Sequence, residues 1–379
     1  MKVKCMTYLI LILVTSLIIG RAPEITSAQQ VRHKISNGTV TVTIGDLSIN
    51  IVATSGISSI TMLGKDLLIN VGWQIFDPLN NLIATTYNLS YYELGYFTIE
   101  SPTVTEVEGG LIVVASSRMS NPSLEVKTVF SIFSTGLIMI NTTIRAYANT
   151  ESGKIRFAMA LPANVFKGQN TYFVSGVQET KVSLPSKYKV YTLYSGPLAI
   201  MYSSTKYGDL IVIANSPDEI DSVKLDDARK YGNNYYILKL EGLSLSGALV
   251  SGTSVSFSIL IYVHNKGSDF TSRIVTISKY LSDVYANMQS LSKKTPRTPG
   301  GRSALKECIQ EYTAARKAFV KGDFDSAYSH ALRAVDLIKK AQNIEIKQRI
   351  LLYMVIPDII LLILILLSIK TSRDKVLKG

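Results

Sequence analysis

Between Val31 and Asn265 the chain alternates apolar and polar residues with a period of two. "TVTVTIGDLSINIVA" (Thr39–Ala53) does so on both sides of Gly45-Asp46, and "LEVKTVFSIF", "GLIMINTTIRA", "YYILKLE" and "SVSFSILIYV" repeat the pattern. Val, Ile, Thr, Tyr and Phe dominate these runs, as a strand with one face in a core requires, while Gly, Pro, Asn, Asp and Ser between them supply turns. More than a dozen such runs follow without a helical stretch. The expected fold is therefore mainly β, a large antiparallel β-sandwich over residues 29–270. Two Ig-sized sandwiches would satisfy the same pattern, but no Pro/Gly-rich segment divides the region.

At Thr271 the period changes. Ile274, Ile277, Leu281, Val284, Met288 and Leu291 recur at three–four spacing and predict an amphipathic helix over 271–292. "KKTPRTPGG" breaks it, so 293–302 reads as a linker. Residues 303–348 predict a helical hairpin stalk that turns at Gly322-Asp323, with Ser303 as its first cap. One helix carries the stripe Leu305, Ile309, Tyr312, Ala315 and Phe319, the other Phe324, Ala327, Ala331, Val335 and Ile338. "AFVKGDFDSAYSHALRA" resembles a TPR-like hairpin, although one hairpin buries too little to form a repeat array.

The chain closes on an apolar run, Ile350–Ile369, broken only by Tyr353, Pro357-Asp358 and Ser368. Its twenty residues would cover about 30 Å as a helix, so 349–369 predicts a transmembrane helix with membrane lipid as partner. A second apolar run, Tyr8–Gly20, follows Lys2 and Lys4 and precedes the small residues Thr26-Ser27-Ala28; residues 1–28 read as a cleaved signal peptide. That layout predicts a single-pass protein of the cell membrane, N-terminus outside, with 370–379 as a basic cytoplasmic tail. Asp358 has two readings: it pairs with a basic or polar residue of another membrane subunit, or it caps the span with Pro357 near the headgroups.

Charge and cysteine refine this picture. The net charge is +12, but residues 29–292 hold 20 Lys+Arg against 19 Asp+Glu, while 293–379 hold 17 against 8. Basicity thus belongs to the membrane-proximal end, which suits anionic headgroups and speaks against nucleic acid as a partner. Of two cysteines, Cys5 leaves with the signal and Cys308 stays alone, so the mature chain has no intramolecular disulfide and must rely on its core.

"GTVTVTIGDLSINIVATSGISSITMLGKDLLI", "LEVKTVFSIFSTGLIMINTTIRA" and "GTSVSFSILIYVH" resemble the opening strand pair, long central hairpin and closing strand of galactose-mutarotase-like supersandwich domains. The resemblance covers about 230 residues at the level of pattern. It implies carbohydrate as a ligand class, yet the histidine pair and carboxylate of those enzymes have no visible counterpart, and no catalytic residue is carried over. His33 and His264 fall near the first and last strands, and His330 lies in the hairpin. The overall layout also looks like that of archaeal single-span envelope proteins.

No catalytic or cofactor motif is present, so neither cofactor nor metal is expected; the acidic loop Ser216–Asp221 reads as a solvated turn. Asp226 and Asp227 are adjacent and point to opposite sides of an extended chain, a poor acid–base pair. Trp73, Tyr91, Tyr92 and Tyr96 are the candidate ligand-binding residues, because flat rings with a polar edge suit sugar faces. The sequons at Asn37, Asn88 and Asn141 are candidate glycosylation sites. The expected function is binding of carbohydrate or an envelope glycoprotein by an anchored β-domain. The alternatives are a sugar-active enzyme of the mutarotase or lyase type and an accessory subunit of a membrane complex.

Overall fold

A computed structural model describes residues 30–376, except 55, 87–96, 121–122, 176–177, 197–199, 215–219, 243–246 and 294–298. The signal-peptide residues therefore lie outside the described residues, as do Asn88, Tyr91, Tyr92, Tyr96 and most of the acidic loop. The chain opens with an antiparallel meander: β1 (Val31–Ser36), β2 (Thr39–Ile44), β3 (Leu47–Val52), β4 (Gly56–Met62) and β5 (Lys65–Phe76). Its turns explain its register. Asn37-Gly38 and Leu63-Gly64 carry positive φ at both positions (49° and 71°, 51° and 71°), the backbone of a two-residue hairpin turn that matches strand twist. Ser36 then faces Thr39, and Met62 faces Lys65.

β6 (Leu82–Thr85) adds to β5, after which the chain crosses to a second sheet through β7 (Phe97–Ile99), β8 (Thr103–Val107), β9 (Gly110–Ser120), β10 (Ser123–Phe133) and β11 (Leu137–Ala146). β12 (Thr150–Ser152) precedes β13 (Lys154–Pro162), which returns to β5 and ends in the single turn α1 (Ala163–Phe166). From there the strands alternate between sheets. β14 (Asn170–Ser175), β15 (Gln178–Ser183), β17 (Ile200–Thr205), β18 (Gly208–Ala214) and β22 (Ser254–His264) join the second sheet. β16 (Thr192–Gly196), β19 (Ile220–Asp227) and β20 (Tyr235–Gly242) join the first, while β21 (Gly247–Leu249) pairs with β12.

The result is one sandwich of two ten-stranded sheets. Ile49, Ile60, Phe157 and Leu238 from sheet one meet Phe130, Ile140, Val212, Ile259 and Ile261 from sheet two in one buried cluster. Burying each such side chain stabilises the fold by about 1.5–3 kcal/mol, which lets the sandwich stand without a disulfide. β18 and most of β22 are buried on both faces. "DLIVIA" shows why: Leu210 and Val212 face the sandwich core, whereas Ile211 and Ile213 face outward into a second apolar cluster.

That second cluster lies under helices. α2 (Ser268–Lys293), α3 (Pro299–Lys321) and α4 (Phe324–Ile350) form a bundle on the outer face of sheet two. Ile274, Val275 and Ile277 of α2, with Phe319, Phe324 and Ala327 of the hairpin, cover Leu137, Ile211, Leu260 and Tyr262. Farther along, Val284 and Leu291 meet Cys308, Ala334, Ile338 and Ala341. The amphipathic helix thus buries the predicted face. The hairpin is not held away on 293–302: its turn residues seal the sheet, and α3 already begins at Pro299. Ser303 consequently lies inside α3, bonded to Glu307 rather than capping, and Ile309 is exposed while Cys308 faces the seam. Asp323 caps α4 by accepting from the Ser326 N–H.

After α4 the backbone passes through one π turn (Leu351–Val355) into α5 (Ile356–Val376). Pro357 accounts for the irregularity: it has no N–H for the carbonyl one turn back, and its ring crowds that turn. Among the described residues no helix is long and apolar enough to cross a membrane. The expected single span Ile350–Ile369 is instead shared between α4, the π turn and α5, and α5 combines its apolar residues with Asp358, Lys370, Arg373, Asp374 and Lys375.

Candidate ligand groove

Trp73 belongs to the interior. It is 3% exposed, its N–H donates to Thr142 Oγ1 at 2.8 Å, and its ring lies 4.7 Å from Phe157 and 4.6 Å from Phe257. The expectation of a ligand contact fails at Trp73, because β5 presents this side to the opposing sheet. Asn37 is exposed in its turn, whereas Asn141 is half-buried in the middle of β11, paired on both sides. Asp358 lies in the first turn of α5, directly after Pro357 and just past the π turn.

The histidines do not meet in a cleft. His33 lies on the edge strand β1 with Nδ1 3.8 Å from Glu106, and His330 bonds Glu311 at 2.6 Å between α3 and α4. His264 ends β22 and is 3% exposed. Its Nδ1 accepts from the Lys266 N–H at 3.1 Å, so Nε2 carries the proton toward Thr271 Oγ1, 3.2 Å away. The Thr271 hydroxyl in turn donates to Asp209 on β18. Burial holds His264 down at about pKa 4, against the pull of Asp209. This chain of three buried side chains ties the first turn of α2 to two strands of sheet two.

Beside the clasp opens a groove of about 580 Å³ between α2 and the end strands β14, β15 and β17. That size suits a small ligand. Tyr172 and Tyr202 face each other across β14 and β17, their rings 4.8 Å apart and 9° from parallel. Glu179 of β15 reaches Lys279 of α2 at 3.3 Å, closing a polar rim. Burial, the Glu179 charge and a hydrogen bond to Glu179 push the Tyr202 phenol up to about 12, so it stays protonated. Gln169, Asn170, Ser204, Ser272 and Thr276 complete the lining with amides and hydroxyls. A flat aromatic face beside such donors and acceptors fits the apolar face and hydroxyl edge of a polyol.

The strongest ionic cluster lies elsewhere, on sheet one. Glu241 is bracketed by Lys154 (2.9 Å), Arg156 (3.0 Å) and Lys224 (3.1 Å). Burial raises its pKa, but hydrogen bonds from Lys154 and Lys224 and the charges of Lys154 and Arg156 outweigh it and hold the carboxyl at about 2. Asp226 accepts from Lys239 and Thr192, and Asp227 from Arg229, so the adjacent pair does separate to different partners. Carboxylates locked in this way are poor general acids. Among the described residues no group of three His, Cys, Asp or Glu could hold a metal ion.

The groove was missed because its members are far apart in sequence. Only the strand register places Tyr172 opposite Tyr202, and Lys279 sits on the polar side of α2, where a charged residue looks merely solvated.

No family model and no curated protein matches the chain. Similar solved structures include the Slr1438 protein of Synechocystis sp. PCC 6803, at 8% identity over 64% of this chain and 100% of that one, with a TM-score of 0.40. A galactose 1-epimerase of Lactobacillus acidophilus shares 7% identity over 62% of this chain and 99% of its own, with a TM-score of 0.37. The GH36 α-galactosidase AgaA of Geobacillus stearothermophilus shares 6% over 67% of this chain and 42% of its own, also at 0.37. No residue role passes from them to this chain.

Proposed function

We propose that this chain is a membrane-tethered binding module whose sandwich holds a carbohydrate, free or on an envelope glycoprotein, in the groove between α2 and the β14–β17 edge. The observation that carries the reading is the stacked Tyr172–Tyr202 pair inside a rim built from Glu179, Lys279 and neutral donors and acceptors. Base-free recognition of a sugar ring needs no tuned proton donor, only a platform and a set of hydrogen bonds. The carboxylates of sheet one, neutralised by lysine and arginine, argue against acid–base chemistry there.

Tethering rests on the surface of α5. Ile359–Leu366 are eight consecutive apolar residues, each 47–58% exposed, so the helix is apolar all round. Such a surface is unfavourable in water, and a helix can meet lipid because its own backbone groups are bonded within the segment. Asp358 then sits near the headgroups as the acid of the first turn.

The test is calorimetric titration of the full chain in nanodiscs with a panel of mono- and polysaccharides, with product analysis of each mixture. Saturable binding that Tyr202→Ala lowers at least tenfold, without turnover, supports the reading. Turnover would make the protein an enzyme, and binding unaffected by Tyr202→Ala would move the site elsewhere.

A further inference from the structure

Each sheet of the sandwich has two end strands, β1 and β16 in sheet one, β15 and β7 in sheet two. An end strand presents a row of backbone N–H and C=O groups that a further strand can pair. Three of the four carry a feature that discourages this. β1 holds Arg32 and Lys34 with no acid, β7 is three residues long, and the pairing of β16 with β19 shifts between Thr192 and Tyr194. β15 carries none of these. Its six residues pair with β14 in unbroken register, contain neither Pro nor Gly, and are exposed except for half-buried Val182. Among the described residues no strand lies beyond it, and α2 packs on β17 and β18, farther into the sheet. Leu184, directly after β15, donates its N–H to Gln169 at 2.8 Å, and its carbonyl accepts from Gly168 at 2.7 Å. Even-numbered residues therefore turn their backbone groups toward β14, while Glu179, Lys181 and Ser183 turn theirs outward.

We propose that this edge pairs with a second copy of the chain, β15 against β15, antiparallel about a two-fold axis through Thr180. In that register Glu179 of each chain stands opposite Lys181 of the other. Both residues have outward backbone groups, so each pair exchanges two hydrogen bonds, and opposite charges face each other across the axis. Centring the axis on Glu179 or on Lys181 instead sets like charge on like, which is unfavourable in a strand pair. Lys181 is exposed and has no ion-pair partner among the described residues. Glu179 already meets Lys279 at 3.3 Å and bonds the Tyr202 phenol. A carboxylate has about four acceptor sites, so it takes a second lysine without releasing the first. The axis stands perpendicular to the sheet, so both α2 faces lie on one side and the two grooves open together. Two linked sites raise avidity for a chain of sugars without any new contact. That consequence, unlike the pairing itself, rests on the proposed carbohydrate reading.

The experiment oxidises the purified full chain in mild detergent with copper phenanthroline and reads covalent dimer on a non-reducing gel. Thr180→Cys should cross-link, because facing residues of a non-hydrogen-bonded pair lie about 4.5 Å apart at Cα, within disulfide reach. Lys181→Cys should give at least fivefold less, since its two copies are diagonal neighbours about 7–8 Å apart. The unaltered chain, whose Cys308 is buried, supplies the background. Adding Lys181→Glu to Thr180→Cys sets acid on acid, and adding Glu179→Lys sets base on base. Each should lower the dimer at least fivefold. Mixing those two chains should restore it, because every facing pair is then Glu with Lys, a result that misfolding of either chain would not give. The proposal is overturned by absent cross-linking of Thr180→Cys, by equal yield from Lys181→Cys, by a Lys181→Glu addition without effect, or by a mixture that stays monomeric. Lys181 does not line the groove, so a failed groove would leave all four cross-linking results as expected.

Discussion

Trp73 and Tyr202 exchange the roles that their residue types suggest. The indole is enclosed between sheets with its N–H on Thr142, while the phenol stacks on Tyr172 at the open edge. Period-two alternation says that neighbouring residues face opposite sides, but it does not say which side is the core when both are covered. We therefore expect Trp73→Phe to lower stability by about 1–3 kcal/mol, through the lost hydrogen bond and volume, and to leave saccharide affinity unchanged. Tyr202→Ala should do the reverse, and parallel urea unfolding and calorimetry on the two variants would read both effects. Gly322 makes a sharper case. Its φ is +79°, and a Cβ there would lie 2.1 Å from Thr135 Cγ2 in the β10–β11 turn. Gly322→Ala should destabilise the protein by about 2–4 kcal/mol in urea unfolding, combining left-handed backbone strain with the clash. Adding Thr135→Ser should recover part of the steric loss and none of the backbone strain. Full recovery, or no loss at all, would show that the hairpin turn is not seated on the sheet.

At the scale of elements, the strands and α2 were legible because each carries one periodicity over many residues. The meander from Val31 to Phe76 is written in alternation and in turn residues such as Asn37-Gly38. The docking of the hairpin was not, because Phe319 and Phe324 read equally well as an internal seam and as a cover for Tyr262. The groove was illegible for the same reason, since a site made by two strands and a helix exists only after packing. Two buried contacts between elements also predict an acid profile. His264 titrates ordinarily near 6.5 and at about 4 in the fold, so the unfolded chain binds a proton that the folded one refuses. Its contribution is complete above 6.5 and is lost as pH falls toward 4. Glu241 ordinarily titrates near 4.5 and here at about 2, so its contribution is lost lower, between 4.5 and 2. Stability measured by urea unfolding across pH should therefore decline in two windows. His264→Gln should flatten the upper one and Glu241→Gln the lower one, and a profile unchanged by either substitution would show that these contacts do not set acid stability.

For the whole molecule the question is what covers α5. A sandwich sealed on one outer face by α2 and the hairpin has its own core, and nothing in the three apolar clusters reaches Ile359–Leu366. The apolar run was plain in the sequence; its π turn was not, because the backbone response to Pro357 depends on how α4 arrives at it. If lipid is the cover, the unit that inserts is the run from Ile350 onward, with Lys370, Arg373 and Lys375 beyond it. Each lysine placed mid-run costs about 2.5–3.5 kcal/mol on insertion scales, so Leu361→Lys combined with Ile365→Lys should remove about 5–7 kcal/mol of anchoring. We expect the unaltered chain to stay with membranes through an alkaline carbonate wash and the doubly substituted chain to enter the supernatant. Orientation follows from cysteine labelling in intact cells with an impermeant maleimide. Ser251→Cys, on an exposed turn of the sandwich, should react at once, and Lys375→Cys only after lysis. Release of the unaltered chain by carbonate would instead mean that α5 is covered by protein. Cross-linking in place would then have to find a partner surface as apolar as the helix itself.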